Sequence, residues 1–170
     1  MLDGLAIASG LGVGLIVGVT GVGGGSLIRV KAQQIAVGPE SAGAMPGPAC
    51  FGFGGVDATL TDIKLLKGLI DPERYFGGQM RLDRERAQAA VANNIGQPLG
   101  LTLDAALDAG EAAWVSAIAA QLRAYLKPDT VLGAFGGAGP FSACAIADAV
   151  GVKKILVPGM AAVFSTSGIG

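Results

Sequence analysis

Residues 131–147, VLGAFGGAGPFSACAIA, restrict the fold more than any other stretch of this chain. An apolar run with the character of a buried strand stops at Gly136, Gly137, Gly139 and Pro140, and small apolar residues then resume with helical spacing. The sequence continues GVKKILVP. This order predicts a strand over 130–135, a glycine loop over 136–140, a helix over 141–150, a turn at Gly151 and a strand over 153–157. Strand, helix and strand in that succession form a βαβ unit with a parallel sheet, so the fold class is α/β. A glycine loop between a strand's carboxyl end and a helix's amino end is where such folds bind anions or nucleotides. Backbone amides and the helix dipole converge there, and glycine lets a ligand approach closely. Gly136-Gly137-Ala138-Gly139 is neither a G-x-G-x-x-G fingerprint nor a P-loop. Taken alone, it fits a plain structural turn equally well.

Composition removes several kinds of function. Twelve basic and 13 acidic residues give a net charge of −1 with no basic block, so nucleic-acid binding has no electrostatic support. The chain has no histidine, which excludes a histidine general base or a Ser-His-Asp triad built from these residues. Cys50 and Cys144 lack the paired spacing of a zinc site, and no other metal-ligand set is recognisable. They read as reduced thiols of a cytoplasmic protein.

The amino-terminal stretch admits three readings. Residues 4–28 carry no charge, the length of a membrane span, yet nine of those 25 positions are glycine, and each glycine costs a helix interior about 1 kcal/mol relative to alanine. A buried glycine-rich strand and loop, a membrane-inserting segment and a signal sequence all remain open, although no basic residue precedes the apolar run as a signal requires. Residues 1–22 are set apart as a segment of uncertain status before a domain over 23–170.

SLIRVKAQQIAV, residues 26–37, alternates as one or two short strands. GPESAGAMPGPACFGFGG, residues 38–55, holds three prolines and six glycines and predicts a loop, either plain surface or one whose backbone approaches a ligand. TLTDIKLLKG predicts a short helix capped by Thr61, with Ile63, Leu66 and Leu69 on one side. Asp83 is an N-cap for a helix burying Ala87, Ala90 and Val91. A longer helix starts at Leu103-Asp104, with Leu107, Trp114, Ile118, Leu122 and Leu126 at helical spacing and Trp114 in the core. Cys144 is expected to face the sheet, and Lys153 and Lys154 to solvate a strand edge.

Four blocks, VGPESAGAMPGPACFGFGG, TLTDIKLLKGLIDPERYFGGQMRLDRE, AFGGAGPFSACAIADAVGVKKILVP and the closing AAVFSTSGIG, together resemble the A component of the hydantoinase/oxoprolinase family, in family order. The family includes ATP-dependent 5-oxoprolinases, N-methylhydantoinases and the related acetone and acetophenone carboxylases. The resemblance implies a partial domain of the actin, sugar-kinase and heat-shock ATPase type (ribonuclease H-like), corresponding to the carboxyl-terminal half of the ATPase core. It implies that Gly136, Gly137, Ala138 and Gly139 receive the adenosine and adjacent phosphate of ATP. The D-x-G-G-T turns that hold the remaining phosphates in that superfamily do not occur here. ATP and magnesium would therefore be completed by residues outside this chain. Met1-Leu2-Asp3 and Gly23–Ser26 match a family segment that is nearly continuous elsewhere, whereas residues 4–22 stand between them here. Residues 14–28 also resemble a short motif of sulfite-exporter-type transporters, over that stretch alone.

Within this frame the catalytic residues are not identifiable. Gly24, Gly25 and Ser26 form a turn that either supplies amides near phosphates or bounds a strand. Glu40 and Ser41, in the glycine-rich loop, are polar contacts for a substrate or partner. Asp62 is the carboxylate best placed for a functional role, its alternative being a first-turn acid favoured by the helix dipole. The leading expectation is a component of an ATP-dependent hydantoinase or 5-oxoprolinase-type amidohydrolase. Its partners would be the upstream half of the A component and a B-type subunit, and its substrate a cyclic amide. A subunit of an acetone or acetophenone-type carboxylase acting on a ketone, a catalytically silent packing subunit, and a small membrane-associated protein resting on residues 4–28 are the alternatives.

Overall fold

The computed structural model describes residues 14–16 and 22–159. These form two compact units, one of residues 22–114 and one holding 14–16 with 115–159. The division falls inside a long helix, α4 (Leu103–Leu122).

In the first unit, β2 (Ser26–Lys31) and β3 (Gln34–Ser41) form an antiparallel hairpin. Ala32 and Gln33 join them with φ of 50° and 62°, the handedness that suits the twist of a two-residue hairpin. β4 (Ala58–Thr59) pairs with the other side of β2, giving the order β3-β2-β4. The expected loop from Gly38 is thus a strand as far as Ser41, because Ser41 pairs with Ser26 across the hairpin. Pro39 is tolerated there since β3 is an edge strand and needs no outward donor.

Helix α1 (Leu60–Leu66) follows β4 directly. Its cap is Thr59 and not Thr61: the Thr59 hydroxyl accepts the Asp62 amide while Asp62 accepts the Thr59 amide, a reciprocal capping box. Leu60, Ile63 and Leu65 are buried; Leu69, expected on the apolar side, lies beyond the helix and is exposed. Helix α2 (Arg84–Val91) is capped by Asp83, whose carboxylate accepts the Arg86 amide at 3.0 Å. It buries Ala87, Ala90 and Val91 as its spacing predicts. A wide turn over Ala92–Gly96 and the short α3 (Gln97–Leu99) lead to α4. Gly110 explains how closely α4 approaches α1: a β-carbon there would lie 2.7 Å from Ile63 Cδ1 and 3.0 Å from Ile95 Cδ1. Beside that contact Lys64 of α1 and Lys67, at its carboxyl-terminal cap, pair with Glu111, and Lys67 also with Asp108. Trp114 is buried, its indole N–H donating to the Gly23 carbonyl at 3.2 Å.

In the second unit, Ile118 and Leu122 continue the buried face of α4. After the break at Lys127-Pro128, β5 (Val131–Gly133) pairs in parallel with β6 (Lys154–Leu156) and with β1 (Gly14–Ile16), in the order β1-β5-β6. Helix α5 (Gly139–Val150) makes the crossover between β5 and β6 and ends at Gly151 with φ of 75°. The βαβ unit stands as read, with strands shorter than expected, although the Ala134 amide still donates to the Leu156 carbonyl at 2.9 Å. Cys144 does not face the sheet. It is exposed, while Ser142, Ala143, Ile146 and Ala147 turn inward, a phase error of one residue on a helix that is small and apolar nearly all round. Lys153 and Lys154 are exposed at the edge strand.

Of the amino-terminal stretch, residues 14–16 lie in the parallel sheet and Ser26–Ile28 in the hairpin. Residues 1–13 and 17–21 and the closing AAVFSTSGIG block lie outside the described residues. No helix of the described residues is long and apolar enough to cross a membrane.

Candidate functional site

The three glycines of FGGAGP differ in why they are glycine. Gly136 has φ of +80°, a conformation that costs an L-residue roughly 1–2 kcal/mol. Gly139 opens α5 and is buried against the end of β5, where a β-carbon would lie 3.8 Å from the Ala134 carbonyl carbon. Gly137 has neither reason. Its backbone is not left-handed, and among the described residues nothing lies within 4 Å of where a β-carbon would stand. Ala138 sits at the N-cap position of α5 and offers no side-chain cap, and Pro140 occupies the first turn without an N–H. The positive end of the helix dipole is therefore left to face whatever comes to this loop.

Four of the other candidates are brought together in the first unit. Ser26 is buried, and its hydroxyl accepts the Gly23 amide at 2.9 Å, closing the turn that precedes β2. The Gly24 carbonyl accepts both the amide and the hydroxyl of Thr61, each at 3.2 Å. The Gly25 carbonyl accepts the Ala42 amide at 2.8 Å, and a β-carbon on Gly25 would stand 3.2 Å from Ser41 Oγ. The turn thus begins a strand and is tied to the end of β3, with Ser41 Oγ accepting the Gly43 amide. Glu40, one residue earlier, is exposed. Its charge adds to that of Asp57, whose two hydrogen bonds with Arg29 at 2.7 and 2.8 Å are the main reason that guanidinium holds its proton more tightly than usual.

Asp62 is fully buried, and its carboxylate has several protein partners. Oδ1 accepts the Cys50 amide at 2.8 Å; Oδ2 accepts the Thr59 amide at 2.9 Å and the Thr59 hydroxyl at 2.7 Å. The Cys50 carbonyl in turn accepts the Asp83 amide at 2.8 Å. One carboxylate therefore anchors the glycine-rich loop, caps α1 and, through Cys50, is linked to the start of α2. Burial first, and then the neighbouring Asp62 charge, push the Cys50 thiol far above its ordinary range, so this cysteine is an inert thiol at neutral pH. Thr59 and Cys50 were not singled out by sequence reasoning, although T-L-T-D has the spacing of a capping box.

A family model described as hydantoinase/oxoprolinase matches residues 15–170. The chain belongs to the hydantoinase/oxoprolinase family. It is 42% identical over 129 residues to the acetophenone carboxylase gamma subunit of Aromatoleum aromaticum, covering 71% of this chain and 18% of that subunit. It is 36% identical to the caprolactamase subunit alpha of Pseudomonas jessenii, covering 89% of this chain and 23% of that one. The crystal structure of the ATP-dependent caprolactamase from Pseudomonas jessenii superimposes with a TM-score of 0.74 at 34% identity, over 82% of this chain and 21% of that chain. This family member thus spans about a fifth of the length of these relatives.

Proposed function

We propose that this chain is part of an ATP-dependent enzyme of its family, a cyclic-amide hydrolase or a ketone carboxylase, and that Gly136, Gly137, Ala138 and Gly139 lie against the adenosine side of the nucleotide. The observation that carries this reading is Gly137. Among the described residues neither backbone conformation nor packing demands this glycine, and its place beside an uncapped helix N-terminus at the carboxyl end of a parallel strand is where a nucleotide would supply the reason.

The βαβ unit around this loop supports a partial domain of the actin and sugar-kinase type. Bound ATP would supply phosphorylation of a carbonyl-derived oxygen, turning it into a leaving group. This chain's part is to hold the nucleoside through backbone amides and the absence of side chains. Magnesium does not fit the described residues, among which no group of three or more acidic or cysteine side chains is gathered. Its ligands, with the D-x-G-G-T turns, belong to the upstream half of the A component, and a B-type subunit completes the assembly. Of Gly24, Gly25, Ser26, Glu40 and Ser41, the turn residues are committed to the hairpin and to α1, and the exposed Glu40 and Ser41 are the ones proposed to meet a substrate or partner. Asp62 acts on them through the loop and helix that it ties. The family domain runs over 23–170 in a cytoplasmic protein. The 42% identity with a carboxylase subunit favours the carboxylase alternative, and the missing phosphate turns favour a chain that is silent by itself.

Titrating ADP into uniformly 15N-labelled chain and following the amides tests this directly. The expected result is that resonances of residues 136–142 shift first and saturably. Shifts confined to other residues, or none at millimolar ADP, would overturn the nucleotide reading.

A further inference from the structure

Ser142 is the fourth residue of α5 and is 2% exposed, yet its hydroxyl has no hydrogen-bond partner among the described residues. No other buried side-chain N or O atom among the described residues stands unpartnered in this way. A buried hydroxyl without a partner carries a free-energy penalty that folded chains normally avoid, and each instance calls for a reason. The helix itself offers none. A serine here has the carbonyl of Ala138, one turn back, as its ordinary partner, and that bond is not made.

Helix geometry fixes the direction of the Ser142 Cα–Cβ bond. A helical side chain leans back over the turn that precedes it. Ser142 therefore leans towards Gly139, three residues earlier on the same buried face, and Gly139 is the residue that packs against Ala134 at the end of β5. Its β-carbon thus lies on the side of α5 nearer the N-terminus that no side chain caps. Gly136 and Gly137 precede this helix N-terminus, and among the described residues nothing lies within 4 Å of where their β-carbons would stand.

We infer that the Ser142 hydroxyl donates a hydrogen bond to a phosphate oxygen of the nucleotide bound at this loop, an assignment that rests on the nucleotide reading above. A phosphate oxygen accepts and does not donate, and it suits both the positive end of a helix dipole and a hydroxyl with its proton uncommitted. Reaching the buried hydroxyl requires the loop over 136–138 to move, and Gly136 and Gly137 bring no side chain that would oppose it.

Ser142→Ala separates this role from a structural one, because the two differ in sign. In the ligand-free chain the substitution removes an unsatisfied group, so the melting temperature should hold or rise slightly. Calorimetric titration of the full chain with AMP should show affinity lowered about tenfold, the scale of one hydrogen bond to a charged group, while adenosine binds as in wild type. A fall of several degrees in the ligand-free melting temperature would mean that the hydroxyl is already partnered, and overturns the inference. Unchanged AMP affinity, or equal losses for AMP and adenosine, overturns it as well. If wild type binds neither probe, the nucleotide reading itself fails, an outcome told apart by the wild-type titration alone.

Discussion

Two glycine-rich loops, residues 47–55 and 134–139, look alike in composition and are opposite in construction. In the first, Gly47 and Gly55 are hemmed in by the protein itself, and Gly52 and Gly54 have φ of +78° and +99°. A β-carbon on Gly55 would stand 2.3 Å from the Gly47 carbonyl oxygen, and one on Gly47, where φ is +74°, 2.7 Å from Phe51 Cδ2. The same loop is held by Asp62 and Asp83 at Cys50, by Asn94 Nδ2 donating to the Val56 carbonyl at 3.0 Å, and by the Arg29–Asp57 pair just beyond. In the second loop, no described residue comes within 4 Å of where a β-carbon on Gly136 or Gly137 would stand. A glycine is informative about function only once its internal reasons have been removed, and by that criterion Gly137 stands apart from Gly47 and Gly55.

Substitutions in the tied loop should have the largest effects, on stability. Asp62→Ala strands the buried amides of Cys50 and Thr59 and dismantles the capping box. At 1–3 kcal/mol for each orphaned group, the expected loss is about 4 kcal/mol, read as a lowered denaturation midpoint in urea. A loss under 1 kcal/mol would show that the carboxylate is not what holds this loop.

Gly55→Ala comes next. The backbone carbonyl of Gly47 cannot turn aside as a side chain would, so about 3 kcal/mol of destabilisation is expected, the upper part of the range for overpacking. If the variant melts like wild type, the tight approach of the two glycines is not real, and the contrast between the loops is lost.

A smaller effect should come from the charges beneath the same unit. Burial raises the pKa of Glu111, but hydrogen bonds from Lys64 and Lys67 outweigh it and hold the carboxyl below its ordinary 4.5. A folded-state pKa below the unfolded one gives stability that is present above about pH 4.5 and lost as pH falls through the folded value. Lys64 is 3% exposed and Glu111 19%, so Glu111→Gln should cost about 2 kcal/mol at pH 7, below the range for breaking a fully buried pair. It should also flatten the decline in stability below pH 4. An acid limb identical in the two proteins would remove Glu111 from the account.

The sequence made the second unit easier to read than the first. The βαβ unit follows from an apolar run, a glycine break and a second apolar run, signals that are local and strong. The N-cap at Asp83 and the buried stripe of Ala87, Ala90 and Val91 were legible for the same reason. Cys144 was misplaced because alanine-rich α5 has little contrast between its faces. The strand through Glu40 and Ser41 was hidden because Gly38-Pro39 argues against a strand, while the pairing of Ser41 with Ser26 is a long-range fact. Asp62 was recognised as special. Its place at the junction of a loop, a cap and a second helix depends on contacts with Cys50, twelve residues away, which no local pattern carries. That left-handed backbone falls at Gly136 and not at Gly137 was likewise beyond the sequence, and it is the fact that gives Gly137 its meaning.

Gly137→Val tests the central claim most directly. The position is not left-handed and a β-carbon there has no neighbour within 4 Å among the described residues, so the substitution should change the melting temperature by no more than a degree or two. ADP binding, measured by calorimetry on the same samples, should fall at least tenfold, because the branched side chain fills the space an adenosine needs. Wild-type affinity for ADP in a Gly137→Val chain of unchanged stability would contradict the account, and FGGAGP would then be a feature of the fold with no ligand to explain it.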